Sequence, residues 1–92
     1  MEILVHDAIE GQDPSGREAI YKLVSDAVAK TCGRVISGDY DKGRGMFGIW
    51  NTTFEIPTES HTAENYRRLY TELMKVYTAN QDKVQGFNVV WD

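Results

Sequence analysis

The sequence predicts an α+β sandwich of β-α-β-β-α-β order, with two helices lying on one face of a four-stranded antiparallel sheet. Three observations carry that expectation. Short runs rich in β-branched and aromatic residues stand near both ends and in the middle of the chain, two stretches between them repeat apolar residues at helical spacing, and a glycine-rich turn joins the two central runs.

The first strand is expected over Glu2–Ala8, where Ile3-Leu4-Val5 is too short for a helix and β-branched at two of three positions. The polar segment Glu10–Pro14 ends it. Ser15-Gly-Arg-Glu18 then matches a capping box, so the first helix should start at Ser15, bury Ala19, Ile20, Leu23, Val24, Ala27 and Val28, and turn Arg17, Lys22, Asp26 and Lys30 outward. Gly33 stands where a left-handed C-cap belongs, which places the helix end near Thr31 or Cys32.

Arg34–Tyr40 and Met46–Ile56 read as a hairpin, with Gly43 and Gly45 free to take positive φ in its turn. Pro57 closes the second of these strands. Ser60 or Thr62 can cap a second helix running to about Thr78, whose Ala63, Tyr66, Leu69, Tyr70, Leu73 and Tyr77 form one stripe. Phe87, Val89 and Trp91 alternate in a last strand, Gly86–Trp91, after a polar stretch from Ala79 to Gln85. This order is that of a ferredoxin-like βαββαβ sandwich with spatial strand order 4-1-3-2, filling residues 1–92 as a single domain. The topology gathers the loops at Asp7–Asp13, Asp39–Arg44 and Gln81–Gln85 at one end of the sheet.

Composition narrows the function classes. A net charge of −4 and a pI near 5.1 argue against coating nucleic acid or an anionic membrane by electrostatics alone. Cys32 has no second cysteine to pair with, and the N-terminal segment has neither the basic start nor the long apolar run of a signal peptide, so a cytoplasmic protein is expected. His6 and His61 fall at opposite ends of the fold and cannot act as a pair. Tyr66 and Tyr70, one helical turn apart, read as a core stripe. No phosphate-binding loop, nucleophile elbow or zinc spacing is present in the sequence.

Three functional readings follow. The first is a small non-catalytic protein–protein interaction module, an inhibitor or accessory factor, working through the open sheet face and the 39–45 hairpin loop without a cofactor. A homodimer is its expected form. Tyr40, Lys42, Arg44, Phe47, Ile49, Trp50 and Phe54 are its interface residues; both sides of the third strand are named, because only one can face a partner and the pattern does not say which. The second reading rests on Asp7, Asp39 and Asp41, which the topology brings to one end. That arrangement resembles in outline the palm of polymerases and nucleotide cyclases, which implies Mg²⁺ held for phosphoryl transfer or nuclease chemistry, with Lys42 or Arg44 neutralising phosphate. The third is RNA binding on the open face. Lys42-Gly-Arg-Gly-Met-Phe-Gly-Ile49 resembles the strand-three signature of RNA-recognition domains, although Arg44, Met46 and, on the first strand, Leu4 stand where base-stacking aromatics belong.

Overall fold

The computed structural model describes residues 1–8, 14–41 and 48–91. Its elements run β1 (Glu2–Asp7), α1 (Pro14–Cys32), β2 (Ser37–Tyr40), β3 (Ile49–Glu55), α2 (Ala63–Ala79) and β4 (Val84–Val90), with a short 3₁₀ turn at Thr58–Ser60. The sheet order is β2-β3-β1-β4, with all three pairings antiparallel, as the sequence predicts. No helix among the described residues is long and apolar enough to cross a membrane.

Alternation along each strand divides the sheet into a helix side and an open side. Ile3 and Val5 of β1, Trp50, Thr52 and Phe54 of β3, and Val89 of β4 point to the helices and are buried. From the other layer Ile20, Val24, Ala27 and Val28 of α1 and Leu69 and Leu73 of α2 complete the core. Thr52, a fully buried polar side chain of this layer, donates its hydroxyl to the Ile3 carbonyl at 2.8 Å, which removes the cost of burying it.

Several boundaries differ from expectation for physical reasons. Helix α1 begins at Pro14, one residue before Ser15, because proline already holds helical φ and its missing N–H is not needed in the first turn. Its buried stripe is Arg17, Ile20, Val24, Ala27 and Val28, rotated from the predicted one so that Ala19 and Leu23 are exposed and Arg17 is not. Gly33 does take the left-handed conformation at the end of α1, with φ 86°. Strand β2 starts only at Ser37, and the residues from Gly33 to Ile36 carry the chain from helix to sheet. Strand β4 starts two residues early, at Val84, through an irregularity that pairs His6 with Gly86 but Asp7 with Val84. The positive-φ expectation for Gly43 and Gly45 lies outside the described residues.

Helix α2 is capped by Thr62, whose hydroxyl accepts from the Asn65 N–H at 3.1 Å. Ser60 has another task, donating to the Cys32 carbonyl at 2.8 Å and so satisfying the end of α1. Thr62→Ala is expected to lower stability by about 0.5–2 kcal/mol in urea titration, whereas Thr62→Asn, which can still cap, should stay within a few tenths of wild type.

Candidate functional site

Two places in the fold concentrate chemistry, a buried polar cluster at one end of the sheet and an apolar groove along β4. The cluster centres on Asp7. Alternation from Ile3 and Val5 turns its side chain to the helix side, and the helical stripe brings Arg17 down onto it, one turn before Ile20. Arg17 Nη2 donates to Asp7 Oδ2 at 2.7 Å and Nε to the same oxygen at 3.1 Å, while Trp50 Nε1 donates to Oδ1 at 2.7 Å. The guanidinium also lies 5.8 Å from the centre of the Trp50 ring. Asp7 and Arg17 are 6% and 7% exposed, so this is an ion pair inside the protein, with both carboxylate oxygens occupied.

That geometry separates the three acids of the phosphoryl-transfer reading. Asp7 is on the helix side and committed to Arg17 and Trp50. Asp39 is exposed on β2, an edge strand that β3 separates from β1, on the open side opposite Thr53, and its Oδ1 accepts from the Tyr40 N–H at 2.8 Å. Asp41 is exposed, with its N–H donated to the Asn51 carbonyl at 3.0 Å. Among the described residues no three His, Cys, Asp or Glu side chains are grouped to hold a metal ion.

The seven predicted interface residues are likewise divided. Trp50 and Phe54 are core residues on the helix side, and Tyr40 is half-buried there, 4.4 Å from the Tyr21 ring and 5.6 Å from Trp50. Ile49 is exposed on the open face, and Lys42, Arg44 and Phe47 lie outside the described residues. The open face is mixed: Glu2, Leu4 and His6 are flanked by Thr53, Asn51 and Ile49 on one side and by Val90, Asn88 and Gly86 on the other. Among the described residues it presents no Phe, Tyr or Trp ring on which a base could stack, His6 being its one imidazole.

Tyr21 stacks on Phe54 at 5.8 Å and passes over Gly38, where a Cβ would stand 2.6 Å from the phenol oxygen; only glycine lets β2 run this close beneath α1. Burial raises the Tyr21 phenol above its ordinary value, with Asp39 and then Tyr40 adding to the rise. A folded-state value above the unfolded one favours the neutral phenol, so its contribution is full below about pH 10 and is lost as pH climbs through the folded value. Wild type should therefore lose stability above about pH 10 more steeply than Tyr21→Phe, measured by urea titration at each pH.

The groove was not legible as a site in the sequence, because its residues come from α2 and β4 and meet only in the fold. It has a volume of about 230 Å³ and is lined by Tyr70, Leu73, Met74, Tyr77, Gln85, Gly86 and Phe87. Tyr70 and Met74 of α2 are 42% and 47% exposed and, on the open side of β4, Val90 is 45% exposed. The predicted core stripe of α2 thus holds Leu69 and Leu73 in the core and leaves Tyr70 beside β4.

The backbone of β4 adds to this groove. Met1 and Phe54 exchange hydrogen bonds in both directions, at 2.9 and 3.1 Å, so the odd-numbered residues of β1 bond to β3 and Glu2, Leu4 and His6 bond to β4 at Val90, Asn88 and Gly86. By alternation the peptide groups of Phe87 and Val89 face away from the sheet. No charged residue and no proline occurs from Val84 to Val90. The opposite edge is different: β2 has four residues, and the outward N–H of Tyr40 is taken by Asp39.

Searches with protein-family profiles, curated sequences and solved structures find no match to the chain.

Proposed function

We propose that this protein is a small non-catalytic protein–protein interaction module, an inhibitor or accessory factor, that docks its partner along edge strand β4 and the α2–β4 groove. The observation that carries the reading is the coincidence of an unblunted edge with exposed apolar side chains on both of its flanks, Tyr70 and Met74 on one and Val90 on the other. An added strand gains main-chain hydrogen bonds from such an edge, and the groove gives its side chains a place to go. This moves the docking surface from the centre of the open face, where Asn51, Thr53 and Asn88 are polar, to its rim. The Mg²⁺ reading has less support, since Asp7 is already saturated by Arg17 and Trp50.

A photo-crosslinking amino acid at Met74 tests the reading in the source cell. Discrete protein adducts are expected there and not from the same probe at Lys22 on the outer face of α1. Adduct patterns that are indistinguishable at the two positions would sink it.

A further inference from the structure

We infer that the occupant of the β4 edge is a second copy of this chain, joined strand to strand about a two-fold axis through Asn88. The inference rests on the docking role proposed above and names its partner.

The hydrogen-bond phase of β4 comes first. Phe87 and Val89 face outward two positions apart, and no hydrogen bond to their N–H groups occurs among the described residues. An antiparallel copy centred on Asn88 sets Phe87 opposite Val89 of the second copy and Val89 opposite its Phe87. Each pair then exchanges both peptide hydrogen bonds, so one two-fold operation satisfies both edges.

Side-chain size agrees with this register. On the open side Gly86 comes opposite Val90 of the second copy. A Cβ at Gly86 would meet nothing within 4 Å, so there is room for the exposed Val90 side chain. On the helix side the same operation brings the two grooves next to each other, covering Tyr70 and Met74. Two large, exposed apolar side chains leave water without any change in the monomer.

Charge does not oppose a copy. Identical chains of net charge −4 repel, and an isologous contact sets each charge against itself or a neighbour across the axis. The seam avoids this, because Val84–Val90, Tyr70, Met74 and Tyr77 carry no charge. The seven residues of β4 and these three from α2 are fewer than the roughly 20–30 a side of a standard interface, so a weak dimer that dissociates on dilution is expected.

The register makes a sharp test. Asn88 bonds inward to β1, so the two Asn88 residues form a non-hydrogen-bonded pair across the seam, with Cα atoms about 4.5 Å apart, close enough for a disulfide. Asn88→Cys, exposed on the open side, should form a disulfide-linked dimer under mild oxidation, while Ser37→Cys on the β2 edge and the wild type with its buried Cys32 should not. In sedimentation equilibrium the wild type should move from monomer to dimer with concentration. Asn88→Lys should weaken that dimer by about tenfold or more with an unchanged circular dichroism spectrum. A wild-type monomer at every concentration overturns the inference, as does Asn88→Cys linking no faster than Ser37→Cys. If the Met74 probe meanwhile captures a different protein, the docking role stands and only the identity of the occupant falls.

Discussion

Arg17→Met is expected to cost about 3–5 kcal/mol of folding free energy, a large share of a total stability of order 5–15 kcal/mol. The substitution keeps most of the apolar stem but leaves the Asp7 carboxylate inside the protein with one oxygen bonded to Trp50 and the other stripped of its two guanidinium bonds. An unpaired buried charge is far more costly than the pair is beneficial. Asp7→Leu alone should be comparably damaging, since it strands the guanidinium. The double variant Asp7→Leu with Arg17→Met should recover a large part of the loss, short of the cost of the orphaned indole N–H of Trp50. Urea titrations of the singles and the double form a cycle whose coupling energy is the measurement. Additive losses would show that the pair does not act as a unit.

Phe54→Ala is expected to cost about 3–5 kcal/mol, and the loss should appear in folding and leave any self-association along β4, corrected for the folded fraction, unchanged. Phe54 is almost wholly buried, with Tyr21 stacked on it and the backbone of Gly38 against its ring, so little can collapse into the space its side chain leaves. The urea midpoint should fall with an unchanged slope, the sign of lost stability in an otherwise similar fold. Ile49→Ala is the control on the same strand. Its side chain is on the open face, and its effect should stay within about 0.5 kcal/mol.

The contrast between Phe54 and Ile49 marks how far sequence reasoning reaches in this chain. The order of elements, their antiparallel arrangement and the Gly33 cap were legible, because periodicity and a left-handed glycine are local properties. Which side of β3 faces the helices was not: Trp50 and Phe54 alternate with Ile49 in a strand apolar on both sides, and alternation alone has no sign. The Arg17–Asp7 pair was missed because charge was read as exposure. A usable signal was present, since Arg17 is three residues before Ile20 and seven before Val24, and Asp7 continues the alternation of Ile3 and Val5. An acid and a base each in phase with a buried stripe are a better guide to an internal ion pair than either residue type alone. The groove was out of reach for another reason. Tyr70, Met74 and Phe87 become neighbours only when α2 lies beside β4, a tertiary contact that no spacing encodes.

The small contact between Asp39 and the Tyr40 N–H has a consequence for how large an assembly can grow. A chain with two receptive rims could add neighbours at both, strand after strand, and extend into a fibre. Here one rim is four residues long and carries its own carboxylate stopper. Among the described residues, growth by strand addition therefore favours one starting point per molecule, and in the proposed dimer both are used up. In the proposed dimer the rim left over is short and partly blocked, a poor place from which to polymerise.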